Sequence, residues 1–489
     1  MGLLKNKLIN YASDLKKLLK PAHSHRYLFF YVSKGLGLIF LIAFISLLMQ
    51  VSGLYLADGI LPIASLVKQI GSEKWLSWPH LFFLTSDTYI LSVLWIGVLS
   101  SLALIVGLWP LVATSLCWVI YLSFVNTGSV FMSFQWDILL LEVGFLCLLG
   151  MPWVSVWKPN SNYAPPYYVI IAGYWCCFKL MFASGVVKLL SGDPLWYSCK
   201  ALSVHYETQP LPHRLSWYVH QLPASLHQLS CMIMFIIELI MPILILINRK
   251  TRQIAGLSAI ALMVIVMLTG NYCFFNLITC LLALFCLDDR FFHKQIMDEA
   301  YQHSKQYYLR GIVASILLVM TVINLSSQLM PSLRPLRAMT QPVAGWRLSN
   351  TYGLFANMTT KRDEIEIWAS IDKQSWKPYL FKDKPNSAQE IPGWTWFHQP
   401  RLDWQFWFVA LRGYSQYSWT NALITRLFEQ SPAVLALFKE VPFEQAPNYI
   451  VMVKKNYHFS NGQEKKETQS WWRVGKPEQF SPVFQKKEK

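Results

Sequence analysis

Charged side chains are scarce in this chain: they make up 14% of its 489 residues, against 54% hydrophobic. A soluble chain carries about a quarter. The deficit is uneven. Roughly the first 330 residues hold long apolar runs, whereas the last ~160 have ordinary soluble composition. That break excludes a uniformly soluble protein and selects one membrane unit followed by one soluble unit. Paired Cys-x-x-Cys spacing is also missing. Nearly all nine cysteines lie in or beside apolar runs, Cys199 falls in a long polar loop, and the C-terminal part has none. No disulfide framework or thiolate metal site follows, and buried small apolar side chains are expected instead. No Gly-rich phosphate loop succeeds a strand, and Ser184 sits in Ala-Ser-Gly rather than in a hydrolase elbow. The expectation is no catalytic residue, no metal and no cofactor.

The formal net charge of +16 is the one excess. Its lysines and arginines flank apolar segments, so they report membrane topology and not a nucleic-acid partner. A cleavable signal peptide is not expected, and residues 1–28 read as a basic amphipathic segment on the cytoplasmic face. About nine spans of mostly apolar residues follow, at roughly 32–51, 89–107, 109–126, 134–152, 167–190, 229–247, 253–270, 272–288 and 310–329. Lys158, Arg249, Lys250, Arg252, Arg290 and Arg310 fall on the same side as the basic N-terminus. The opposite loops carry only Lys68, Lys74, Lys200 and Arg214. With the N-terminus cytoplasmic, an odd span count places the C-terminal part on the lumenal or periplasmic side.

The fold expected is therefore an α-helical polytopic membrane bundle over 29–330, with two long outer loops at 52–88 and 191–228. These loops are too apolar for plain linkers. A β-rich extracytoplasmic domain is expected over 331–476, then a loose polar tail over 477–489. Alternation at Glu364–Trp368 and Tyr449–Val453 predicts strands, and 418–440 predicts an inserted helix.

Ionisable residues inside spans are costly and so stand out. Glu142, Lys179 and Glu238 fall at similar depth, ~12–17 Å below the outer span ends at a rise of ~1.5 Å per residue. They are expected to neutralise one another, with Asp137 and Lys188 as a second pair nearer the outer surface. Two readings are open: ion pairs that fix helix register, or a polar cavity for a ligand or proton relay. In the outer loop, His205-x-Glu207 lacks the i, i+4 spacing of a helical metal site, so an ordered hydrogen-bonded segment is expected there. Thr269-Gly270-Asn271 reads as a tight turn with positive backbone dihedrals, and Asn276 as a cross-helix hydrogen bond. Arg401 and Asp403 alternate with apolar neighbours as on one strand face. They read as a surface ion pair or, with Trp396 and Trp404, as a docking surface for a partner chain.

Several longer runs carry a resemblance. Phe178 to Leu189 (FKLMFASGVVKL) continues as Gly192-Asp193-Pro194-Leu195-Trp196, then Ala201 to Pro212 (ALSVHYETQPLP). Leu268-Thr269-Gly270-Asn271-Tyr272 precedes Phe274-Phe275-Asn276-Leu277. Gln135-Trp136-Asp137, Asn350-Thr351-Tyr352-Gly353 and His398 to Gln405 (HQPRLDWQ) complete the set. From about Gly59 to Trp407 the chain resembles the lipase maturation factor family, with Lys179 where arginine is usual. The resemblance implies an integral membrane protein of the endoplasmic reticulum in animals, or of the inner membrane in a bacterial homologue. It implies a non-catalytic role in folding and assembly of secreted lipases, with client proteins and membrane lipids as partners. Asp193, Gln209 and Asn271 belong to the outer-loop motif so identified. The membrane part more distantly resembles the transmembrane domain of vitamin-K-dependent carboxylase. That kinship supplies the alternative: a membrane enzyme acting on a lipid or quinone-like ligand, with Lys179, Lys188, Glu142 and His205 around it. Broken spans in inverted repeat, the mark of a transporter, are not seen.

Overall fold

The computed structural model describes residues 22–71, 74–159, 163–292 and 305–486. Most of the amphipathic N-terminal segment lies outside them. Each of the nine apolar runs forms a helix: α1 Arg26–Leu48, α2 Asp87–Val106, α3 Pro110–Thr127, α4 Gln135–Leu148, α5 Tyr167–Leu190, α6 Ala224–Ile245, α7 Arg249–Thr269, α8 Phe275–Leu284 and α9 Lys305–Leu329. Among the described residues seven helices are long and apolar enough to cross a membrane. The two that are not are α4, with 14 residues, and α8, with 10. At ~1.5 Å per residue they reach only about 21 and 15 Å, short of a ~30 Å hydrocarbon core. Their position explains why they persist. α8 packs against α1, α4, α5 and α7, most residues of both helices are buried and none is exposed. Helix ends below the headgroups are tolerated where protein, not lipid, surrounds them. The peripheral α6, α7 and α9 are the reverse, with only 28%, 22% and 28% of their apolar windows buried by protein. The chain is an integral membrane protein.

Two helices show local chemistry. Between α2 and α3 the chain turns at Gly107 (φ 99°) and Trp109 (φ 40°), with Pro110 opening α3. This is the tight turn expected there. In α6, residues Ile236–Ile240 widen into a π-turn just before Pro242. Proline lacks the N–H that would bond the Glu238 carbonyl, and its ring would strike that carbonyl in an α-helix. The wider turn relieves the clash and rotates Glu238 inward.

The bundle's two ends differ. At one, the Asp289 carboxylate accepts the backbone N–H groups of Tyr27 (3.0 Å) and Leu28 (2.9 Å), Arg249 pairs with Asp288, and Arg310 donates to the Met151 carbonyl. The C-terminal part sits on the other. It holds a six-stranded antiparallel sheet of β1 Arg362–Ser370, β2 Lys377–Tyr379, β3 Tyr449–Phe459, β4 Trp472–Val474, β5 Glu478–Gln479 and β6 Phe484–Gln485. β1 lies between β2 and β3, with Ile367 opposite Met452, while β4, β5 and β6 share the far edge of β3. Residues 478–485, expected in a loose tail, thus supply two strands.

Two further expectations are corrected here. Arg401–Ala410 is a helix, α10, and not a strand. Leu402, Phe406 and Val409 are buried at i, i+4 and i+7, and Asp403 in the first turn suits the helix N-terminus. The single helix expected over 418–440 is split into α11 Trp419–Phe428 and a short turn at Pro432–Leu435, after Gln430 takes φ 54°. Both outer loops are ordered by the C-terminal part. Arg426 of α11 donates to the carbonyls of Ala57 and Gly59, and loop 191–228 contributes helices at Ala201–Thr208 and Arg214–His220.

Candidate functional site

The buried charges gather where the C-terminal part meets the bundle. Their pairing differs from the sequence expectation. Asp137, in the first turn of α4, does not meet Lys188. It accepts from Arg401 of α10 at 3.0 and 2.9 Å and from the Tyr121 hydroxyl at 2.5 Å. Arg401 and Asp137 are both fully buried, and Arg401 also donates to the Phe131 carbonyl. A planar guanidinium meets a carboxylate through two parallel bonds in this way.

Glu142, one turn deeper, pairs with Lys179 as expected, but Glu238 is not part of the set. Besides a long contact from the Cys176 thiol of α5 (3.9 Å), the remaining Glu142 donors come from the C-terminal part. They are the backbone N–H of Asn350 (3.0 Å), its side chain (3.2 Å) and the Tyr352 hydroxyl (2.7 Å). The Asn350-Thr351-Tyr352 run is thus a plug set into the bundle. Glu238 instead pairs with Lys188, at 2.6 and 2.9 Å.

The outer-loop residues form a second belt of the same seam. Asp193 caps the short helix Pro194–Tyr197 through the Leu195 N–H and also accepts the Met358 N–H at 2.6 Å. Glu207 accepts the Phe459 N–H (2.9 Å) and lies 3.2 Å from the ring of His458, both on β3. Gln209 accepts from Tyr272 (2.7 Å) and donates to the Thr269 carbonyl (2.8 Å). His205 lies 2.9 Å from that same Tyr272 oxygen. Since Tyr272 donates its only proton to Gln209, His205 must donate through Nε2. Burial, and then the charge of Lys188, lower the His205 pKa to about 4, so the ring is neutral. Asn271 donates to the Leu211 and Gly393 carbonyls and accepts the Thr395 N–H. Gly270 is extended at φ −174°, not left-handed as expected; a Cβ there would run into Gln209 and Tyr272. Asn276 makes no cross-helix bond: its amide is buried and has no partner among the described residues.

Of the four residues expected to dock a partner chain, three face inward. Arg401, Asp403 and Trp404 are buried, with Trp404 against Trp136 at 4.8 Å. Asp403 makes no ion pair with Arg401. It accepts the N–H groups of Asp383 (2.9 Å) and Lys384 (3.2 Å). Burial, then the Asp383 carboxylate, raise its pKa to about 7. Trp396 alone is exposed, at 72%, stacked on Trp394 at 4.8 Å with Ile391 exposed nearby in sequence.

Sequence reasoning passed over Arg362, although it is fully buried and bonds the carbonyls of Glu207, Gln209 and Pro210. A lone arginine entering a strand gave no signal of a distant loop. Among the described residues no group of His, Cys, Asp or Glu can hold a metal ion.

The contacts join the sequence runs singled out above across nearly the whole chain, and comparison with known proteins covers the same ground. The family model described as lipase maturation factor transmembrane domain matches residues 27–294, and that described as lipase maturation factor C-terminal domain matches 348–482. The chain belongs to the lipase maturation factor family. It is similar to lipase maturation factor 2 of Xenopus laevis, 31% identical over 92% of this chain and 81% of that protein. The Homo sapiens lipase maturation factor 2 is 28% identical over 92% and 81%. Lipase maturation factor 1 of Mus musculus is 28% identical over 92% and 85%. No solved structure matches. Within this lipase maturation factor homologue, the transmembrane match holds Asp137, Glu142 and Glu207, and the C-terminal match holds their partners Arg401, Tyr352 and β3.

Proposed function

We propose that this protein is a membrane-bound maturation factor that assists folding or assembly of secreted lipase-like proteins without a covalent step. The observation that carries this is the exposed Trp394–Trp396 ledge on a C-terminal domain whose other aromatic anchors are buried against the bundle. Rigid aromatic surface of this kind suits exposed apolar segments of an incompletely folded client. The names of its relatives, lipase maturation factors 1 and 2, suggest the client class. The domain sits at the end opposite the arginines near residues 249, 290 and 310, so it faces the lumen or periplasm under the positive-inside rule. The membrane is then the endoplasmic reticulum in a eukaryote and the inner membrane in a bacterium.

Deleting the gene is expected to lower secreted lipase activity while leaving lipase mRNA unchanged. A photo-crosslinker at position 396 should capture a secreted lipase during its synthesis. Unchanged lipase secretion, or crosslinks to lipid alone, would remove the client reading.

A further inference from the structure

A hollow of about 260 Å³ lies between α5, α6, α7 and α8, on the bilayer side of the outer-loop belt. α6 and α7 create it. They are joined by a short turn at 246–248 and pack together near that turn, where Met241–Ile245 meets α7. Toward the other end the Ala224–Phe235 part of α6 diverges from α7. Its bilayer-side rim includes Ile233 and Ile265, 47% and 56% exposed. Above, His205, Tyr206 and Trp196 of the outer loop and Leu354 and Phe355 of the C-terminal part close the roof. The route in is lateral, from the membrane.

The walls are mostly apolar, from Leu180, Met181, Ile237, Leu262 and Met263, and the polar groups among them are specific. Lys188 and Glu238 cancel one another at 2.6 Å, and His205 donates to Tyr272, so the lining offers no unpaired charge. Asn276 lines the same hollow at 1% exposure, and among the described residues neither its amide nitrogen nor its oxygen has a hydrogen-bond partner. A buried amide left unbonded is destabilising, since it has given up its water without a replacement partner. It is a donor and an acceptor held ready in an apolar wall.

We infer that this hollow binds one neutral, single-chain acyl lipid from the bilayer, its chain between α6 and α7 and its ester and hydroxyl groups on Asn276. The volume bounds the chain number: about 260 Å³ is at the small end of ligand-pocket volumes, room for the inner part of one acyl chain beside its ester and not for two chains side by side. The paired Lys188–Glu238 decides the head: an anionic group would find its cation already neutralised. The donor–acceptor character of the amide decides the chemistry, since an acylglycerol supplies a carbonyl to accept and a hydroxyl to donate. No bond is made or broken. The site is independent of the client reading, and the tests below require no client.

The experiment uses the full chain in phosphatidylcholine nanodiscs, with a monoacylglycerol carrying a diazirine on its chain. Photolysis is expected to label peptides containing Ile233–Met234 and Ile265, with competition by unlabelled monoacylglycerol. Val266→Trp, which fills the hollow, should abolish that labelling. Asn276→Leu should weaken apparent affinity about tenfold, yet leave the ligand-free melting midpoint unchanged or higher because a buried unpaired amide is gone. Three results would overturn the proposal. Labelling could persist unchanged in Val266→Trp, as for annular lipid. A photoactivatable phosphatidylcholine or fatty acid could label the same peptides as strongly and compete as well. Asn276→Leu could lower the ligand-free midpoint while the monoacylglycerol effect stayed intact.

Discussion

The two sides of the short helix α8 are finished differently. Toward the C-terminal domain, three buried carboxylates of the membrane part meet two or more donors each, and part of each donor set comes from the other domain: Asp137 from Arg401, Glu142 from Asn350 and Tyr352, Glu207 from β3. Toward the α6–α7 gap, Asn276 has no partner among the described residues and Lys188–Glu238 fronts a hollow. Saturated contacts of the first kind hold two bodies in one arrangement. An unsatisfied polar group in a lateral opening keeps nothing fixed, and suits exchange with the membrane. The difference teaches that buried charge in this bundle serves assembly at one place and an accessible interior at another.

The sharpest way to break the contrast is at Arg401. Arg401→Leu leaves the Asp137 carboxylate and Tyr121 buried without their cation, and loss of one partner of a buried pair costs ~3–5 kcal/mol. The melting midpoint in detergent should fall sharply, with faster proteolysis of the C-terminal domain. Pairing it with Asp137→Leu should recover much of the loss. Tyr352→Phe removes a single bond to a carboxylate that keeps its other donors, so about 1.5–3 kcal/mol is the expected cost. A Lys188→Met/Glu238→Leu double change removes the cavity-side pair as a unit. Replacing a whole buried pair by apolar groups is often neutral, so its midpoint should stay within about 1 kcal/mol of native. If that double change destabilised as much as Arg401→Leu, the contrast between the two sides would fail.

Much of this was legible, for reasons that differ by element. The apolar runs behind α1–α9 are local signals of length, and the alternation in β1 and β3 is a local signal of period. Pairing of charges is not local. Depth along a span placed Asp137 near Lys188, but depth says nothing of azimuth, and the true partner lies 264 residues on. The Arg401–Trp404 stretch misled because two charged residues two apart imitate a strand face, while the stronger helical spacing of Leu402, Phe406 and Val409 runs underneath. Glu238 left the Glu142–Lys179 set because the π-turn before Pro242 swings it toward Lys188. The hollow itself depends on two helices diverging, which no run of residues spells out.

A milder test of the seam uses pH. The folded pKa of Asp403, about 7, lies above the ~3.9 of an unfolded aspartate. Between those values the folded state holds a proton that the unfolded state has lost, so stability falls as pH rises through that window. The melting midpoint should therefore drop between pH 5 and pH 8, and Asp403→Asn, which cannot ionise, should reduce that slope. A slope unchanged by the substitution would mean that other groups carry it.

The smallest structural effect is expected at Trp396, and for that reason it separates function from assembly best. The side chain stacks on Trp394 and is otherwise open, so Trp396→Ala should cost under about 1 kcal/mol. The protein should melt almost as native, with the C-terminal domain still seated. If the ledge holds clients, secreted lipase activity should nonetheless fall toward that of the deletion strain. Arg401→Leu would lower the same activity by unseating the domain, and would lower the melting midpoint with it. Normal lipase secretion from Trp396→Ala would turn the search for a client surface to the other exposed apolar residues of this end, such as Met339 and Leu336.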